Sequence, residues 1–220
     1  MEVFATLLVI SVLLIIGYYY FRNKKRDVFL VKSTLDGDSY FVRNLPDKVD
    51  AANRLAYIRS KLTQLVEILK SETPENLYQK YVKGDKMEGQ MSITEFTRCL
   101  KQLIRKYRDN SETFSESTPD AKYTSYAVNK GEQLVFCLRI KKKDNDFNQH
   151  NKLVPKNTIL FVALHELSHL MTETIGHGED FWRNFRFILK VAIDKNIYTR
   201  VDFNSNPQQY CGMKITDTPY

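Results

Sequence analysis

Cysteine is scarce: Cys99, Cys137 and Cys211 are the only three in 220 residues. Their number is odd, they are widely spaced, and no two have the spacing of a paired metal site. This predicts free thiols in a reducing compartment. No Asn-x-Ser/Thr acceptor occurs, so nothing points to a glycosylated ectodomain. Two further absences argue for an anchor over the rival reading, a cleaved signal peptide. Only Met1 and Glu2 precede the first apolar run, without positive charge, and no small residues close it. Internal repeats are lacking. The only low-complexity stretch in the rest of the chain, Asn110 to Asp120, is rich in Ser, Thr and Glu and reads as a linker or mobile loop.

What is present begins with Val3 to Phe21, a nearly unbroken apolar run without charge or proline. It approaches the ~20 residues that a bilayer-spanning helix needs. Tyr18-Tyr19-Tyr20 and the basic Arg22-Asn23-Lys24-Lys25-Arg26 follow, which predicts a single-pass membrane anchor with the remainder on the cytosolic side. A hydrophobic content of 43% suffices for one substantial core. Part of the net charge of +7 is the cluster after the apolar run. Another part is Arg139 with Lys141-Lys142-Lys143, which reads as a solvated loop or, less simply, as a contact for nucleic acid or an acidic substrate.

Apolar periodicity sets out the elements. Val28 to Val42 reads as a hairpin around Asp36-Gly37-Asp38, and Asp47 to Ser71 as a long amphipathic helix. Thr73 caps a shorter helix opened by Pro74. Ser92-Ile93-Thr94-Glu95 is a capping box for the next. Tyr123 to Val128 and Gln133 to Ile140 form a second hairpin, and Glu179 to Asp194 is a helix with Phe181, Trp182, Phe185 and Ile188 on its buried side. Asp144 to Thr158 is a polar connection, with Asn157 or Thr158 as the cap of the helix that follows, and the last segment reads as irregular.

Chemistry concentrates between Ile159 and Met171. His165 and His169 stand four apart, so in a helix they share a face about 6 Å apart along the axis and can point ring nitrogens at one metal ion. Glu166 lies about 100° around the helix, placed to reach a metal-bound water without becoming a ligand. The surrounding residues are almost wholly apolar, and a polar triplet among them is costly unless something satisfies it. His177, between Gly176 and Gly178, is a candidate third ligand, with Glu179 and Asp180 as alternatives if the turn folds differently. Glu173 continues the spacing of four, but three ligands on one straight helix span about 12 Å and cannot converge. His150 is a further loop histidine. Tyr198, Tyr210 or Arg139 could stabilise a transition-state oxyanion.

His165-Glu166-Leu167-Ser168-His169, with Gly176-His177-Gly178 and Phe181-Trp182, resembles the WLM and SprT-like group of small zinc metallopeptidases. Tyr126-Ala127-Val128-Asn129-Lys130-Gly131, Phe136-Cys137-Leu138-Arg139 and Tyr210-Cys211-Gly212-Met213 are similar to the WLM-type proteases predicted for large DNA viruses. The resemblance implies an α+β, zincin-like fold with a small antiparallel sheet and an active-site helix, here preceded by the membrane helix. It implies Zn2+ as cofactor, held by His165, His169 and His177, with Glu166 as general base, and a peptide or protein as substrate. The expected divisions are 1-26 for the anchor and its basic flank, 27-110 for hairpin and helices, and 111-220 for the metallopeptidase core. Two other readings are a non-catalytic, zinc-stabilised membrane or virion assembly protein and a basic membrane-surface or nucleic-acid tether.

Overall fold

The computed structural model describes residues 28–85, 91–119, 121–141, 151–216 and 218–219. Strands β1 (Val28–Lys32) and β2 (Ser39–Arg43) pair antiparallel, with Val28 opposite Arg43. The left-handed Gly37 (φ +78°) turns the chain between them, as the Asp-Gly-Asp signal predicts. Helix α1 (Lys48–Ser71) buries Leu55, Ile58, Leu62, Leu65 and Leu69, its 3.6-period stripe, against β2. Helix α2 (Pro74–Leu77) has Pro74 in its first turn, and the Thr73 hydroxyl accepts from the Asn76 N–H at 3.2 Å. It runs on as one π-type turn, Tyr78–Val82. Helix α3 (Ile93–Lys106) is capped by Ser92, whose hydroxyl accepts from the Glu95 N–H at 3.2 Å.

Strands β3 (Phe114–Glu116), β4 (Tyr126–Val128) and β5 (Gln133–Phe136) complete a sheet in the order β1-β2-β3-β5-β4. Helices α4 (Lys156–Met171) and α5 (Glu179–Asp194) follow, then β6 (Gln208–Tyr210) and β7 (Met213–Ile215) as a separate hairpin. One continuous core takes residues from Tyr40 to Cys211. Helix α4 lies at its centre, packed by α1, α3, α5 and β4.

The expected antiparallel sheet is instead mixed, because β3 lies parallel to both β2 and β5. Read as a linker, β3 is in fact the middle strand. Its polar composition conceals it: Glu116 is buried because its carboxylate accepts from the Arg43 N–H and from Arg139 Nε, each at 2.7 Å. The tail, expected to be irregular, forms β6 and β7 around a two-residue turn. Free cysteines are also corrected. Cys137 and Cys211 form a disulfide across 74 residues, a pairing no local spacing could announce, and Cys99 alone is free and buried.

The N-terminal membrane helix is a further correction, and with it the single-pass placement facing the cytosol. Among the described residues no helix is long and apolar enough to cross a membrane. The physical reason is plain for the longest helix and for the most apolar one. Charged residues interrupt α1 along its 24 residues, and the 16 residues of α4 span about 24 Å, short of a hydrocarbon core of about 30 Å. Val3 to Phe21, on which the expectation rested, lies outside the described residues.

Asp85 braces α5 from outside, accepting from Arg186 Nε at 2.7 Å and from Lys190 Nζ at 2.6 Å. Burial pushes its carboxyl up, but the two cationic donors prevail and hold it below the ordinary value of 3.8. The folded pKa is depressed, so this contribution is present above the unfolded pKa and fades as pH falls through the folded one. Asp85→Asn should therefore lower stability by about 1–3 kcal/mol near pH 7. Denaturant melts of the two proteins should converge below pH 3.8.

Candidate metal centre

Helix α4 is apolar nearly all round, with every residue from Thr158 to Leu164 buried. Its N-terminus follows Pro155 without a side-chain cap. Asn157, expected as a cap, instead tethers the chain after α5, donating to the Thr199 carbonyl at 2.7 Å and accepting from its N–H at 3.1 Å. The far end is fastened from three sides. Gln102 of α3 donates to the Leu170 carbonyl at 3.0 Å. The Lys130 ammonium, from the β4–β5 turn, donates to the Thr172 and Glu173 carbonyls. Asn184 of α5 donates to the Thr172 hydroxyl at 2.9 Å, and that hydroxyl donates to the Ser168 carbonyl at 2.8 Å. These partners satisfy the carbonyls that a helix C-terminus leaves open, and so fix the turn that carries His169.

Between His165 and Met171 only His165 and His169 escape full burial. The chain then turns at Gly176, whose φ of +93° is left-handed, and His177 folds back onto them just before α5. The three ring centroids form a triangle with sides of 5.0, 4.9 and 5.0 Å. One donor atom of each histidine lies within 4.8 Å of the other two, and the Nε2 atoms of His165 and His177 are 3.0 Å apart. Two nitrogens on one tetrahedral zinc, each at about 2.0–2.1 Å, stand about 3.3 Å apart. The buried Phe181 ring packs on all three imidazoles at 4.4 to 4.7 Å between centroids.

Burial, followed by the other two histidines, lowers His165 to about 3. Burial and the neighbouring His177 and Lys130 lower His169 to about 4, and burial lowers His177. The imidazoles are thus neutral at neutral pH, and each keeps one ring nitrogen with a lone pair for a metal. Glu166 is buried, and its carboxylate has no hydrogen-bond partner among the described residues. Burial pushes it up to about 8, so only a nearby positive charge would keep it ionised at neutral pH. A donor set of three neutral imidazoles with an unpartnered carboxylate beside it fits a divalent zinc-type ion.

Among the described residues no other carboxylate or thiol joins this cluster. Glu173 faces Arg98, whose Nε is 3.1 Å from Oε1, and Asp180 accepts from the Thr174 hydroxyl at 2.5 Å. Glu179 opens α5 outside the cluster, and His150 lies outside the described residues. Arg139 is not brought to the histidines. Its guanidinium is buried and committed to Glu116, Asp47 and the Asn151 carbonyl at 2.7, 2.7 and 2.9 Å. It is therefore no part of an exposed basic stretch either; of its lysine neighbours only Lys141 is described. Tyr198 packs on Phe161, one turn before His165, at 6.0 Å between rings. Tyr210 is buried within electrostatic reach of Glu166, and its hydroxyl contacts that of Ser125.

Sequence reading missed Lys130, Gln102 and Ser125. Only the Asn129-Lys130-Gly131 turn carried a signal, and it marks a bend rather than a helix cap. Gly131 (φ +120°) approaches α3 and α4 so closely that a Cβ would lie 2.8 Å from the Lys106 carbonyl oxygen and 3.2 Å from Leu170. Gly131→Ala should therefore destabilise the fold by roughly 1–3 kcal/mol in denaturant melts.

No family model matches the chain, and no solved structure does. The "Uncharacterized protein R325" of Acanthamoeba polyphaga mimivirus is 30% identical over 218 residues, covering 97% of this chain and 98% of that protein. "Uncharacterized protein 136R" of Invertebrate iridescent virus 6 is 28% identical over 108 residues, 49% of this chain and 54% of its own length. A third relative, "Uncharacterized protein 042R" of Invertebrate iridescent virus 3, is 39% identical over 59 residues, 26% of this chain and 35% of the relative. With two full lengths aligned at that identity, the chain belongs to the family of the mimivirus protein R325.

Proposed function

We propose that this protein is a zinc metallopeptidase of the WLM and SprT-like type, with His165, His169 and His177 as metal ligands and Glu166 as general base. The observation that carries the reading is the convergence of three neutral imidazoles within 4.8 Å beside a buried carboxylate that has no hydrogen-bond partner among the described residues. A zinc ion held there supplies Lewis acidity and lowers the pKa of water toward ~7. Glu166 takes the proton from the attacking water and later gives it to the leaving amine. Its apolar surroundings keep its proton affinity high enough for both transfers.

Other groups have supporting parts. Phe181 and the clamp on the end of α4 hold the rings in place, while His177 is exposed and leaves the cluster open to solvent and substrate on that side. Among the described strands β4 is an edge of the sheet, packs beside α4, and pairs only with β5. Its open side offers main-chain donors and acceptors to an extended peptide. Tyr198 and Tyr210 are the oxyanion candidates, and of the two Tyr210 is in electrostatic contact with Glu166.

A zinc-stabilised assembly protein without catalysis would use the same three histidines. It has no need of Glu166, whose burial costs the fold stability. The test is metal analysis of the purified chain together with cleavage of unstructured protein substrates. Zinc should be present at about one equivalent per chain. Glu166→Gln should keep the zinc and lose roughly 10²–10⁴-fold in cleavage rate, while His177→Ala should lose both. Absence of zinc would sink both metal readings, and zinc without any cleavage by the unaltered chain would favour the assembly protein.

A further inference from the structure

We infer that the Cys137–Cys211 disulfide is a redox-operated latch, closing the C-terminal hairpin onto the metal centre and making hydrolysis conditional on oxidation of the chain. The inference rests on the hydrolase reading above and adds its regulation. It starts from an oddity of the β6–β7 turn. Cys211 and Gly212 form a two-residue turn with φ of +49° and +80°, and Tyr210 stands opposite Met213. Glycine, asparagine and aspartate suit the first place of such a turn. Cysteine has no such preference, so the residue is held there by its bond to Cys137 rather than by its own backbone leaning.

Beyond that bond the hairpin is held by the burial of Tyr210 and Cys211 and by partial packing of Ile215. Among the described strands β6 and β7 pair only with each other, and a lone two-stranded hairpin is marginal in water. Of its residues from Gln208 to Ile215, only Tyr210 and Cys211 are buried. These two carry the connection to the site. The Cys137 N–H donates to the Ser125 hydroxyl at 3.1 Å, that hydroxyl meets the Tyr210 hydroxyl, and Tyr210 is within electrostatic reach of Glu166. The covalent bond thus ties Cys137, where this series of contacts begins, to Cys211, the neighbour of Tyr210 in the hairpin. Without it only the Ser125 contact and the burial of its own ring hold Tyr210, and its departure would open the Glu166 side of α4 to water.

Closing the latch is a two-electron step. Two S–H bonds break and one S–S bond forms, while a disulfide donor RSSR takes up two protons and two electrons and leaves as two RSH. Opening is the reverse, with a dithiol as reductant. Both sulfurs are buried, with Cys137 at 3% and Cys211 at 5% exposure, so thiols reach them only after the hairpin swings out. The closed state therefore persists once formed.

The test compares the full chain in its oxidised form, the same chain reduced with dithiothreitol, and the Cys137→Ala/Cys211→Ala variant, with Cys99→Ala as control. Hydrogen exchange of 208–215, zinc content and peptide cleavage are read on each. Loss of the bond should speed exchange in that segment at least tenfold, leave zinc near one equivalent, and lower cleavage at least tenfold. Oxidised glutathione should restore the reduced chain but not the double variant, and Cys99→Ala should behave as the unaltered chain. Because reduction and reoxidation use the natural sequence, a double variant that fails to fold does not remove the test. Cleavage by the reduced chain within twofold of the oxidised form would overturn the latch, as would hairpin exchange indifferent to reduction. An oxidised chain that holds no zinc and cleaves nothing would overturn the hydrolase reading, and the control of hydrolysis with it, whatever the hairpin does.

Discussion

Helix α4 carries His165, Glu166 and His169 at the margin of an apolar core, and the elements packed around it hold that arrangement. The helix is flanked by α1, α3, α5 and β4, and from Thr158 to Leu164 every side chain is buried. The half-buried His165 and His169 and the buried Glu166 break this apolar run. Three imidazoles that face one another cannot all donate and accept productively without a common partner, and a carboxylate in the same place is held away from its ordinary titration range by burial. This unfavourable local arrangement is stable only because the surroundings are over-determined. Phe181 packs on every ring, and the C-terminal carbonyls of α4 are taken by Gln102 and Lys130 from two other elements.

Much of the site was legible in the sequence, because its essential geometry is local. The helical repeat alone brings His165 and His169 to one face, and the glycine before His177 supplies the left-handed turn that returns it to them. Helices α1, α3 and α5 were legible for the same reason, since each carries a clear apolar stripe and begins near a readable cap or turn. The chain's longest-range features were not. Strand β3 has three residues, two of them polar, and its pairing partners come from opposite sides of it in sequence. The disulfide joins residues 74 apart, and Arg139 belongs to a buried ion-pair network whose other members, Asp47 and Glu116, lie far upstream. Period and composition carry no record of such encounters.

The membrane expectation failed differently. It rested on the hydropathy of one stretch and not on its relation to anything else, and the described fold gives it no counterpart. Arg139 was misjudged by similar reasoning, since a basic residue near lysines looks solvated until two carboxylates are found to enclose it. Charge read along the chain describes neighbours in sequence, whereas desolvation depends on neighbours in space.

The β4–β5 turn has a double attachment. Gly131 touches the end of α3 and the last turn of α4, and Lys130 beside it caps α4. In most hairpins a turn fixes only the register of its own two strands. Here a slip of one residue would do more than exchange the faces of β4 and β5. It would withdraw the ammonium from the helix and drive a side chain into Leu170. The helix thereby acts as a gauge for the sheet, admitting only the register that also sets its histidines in place.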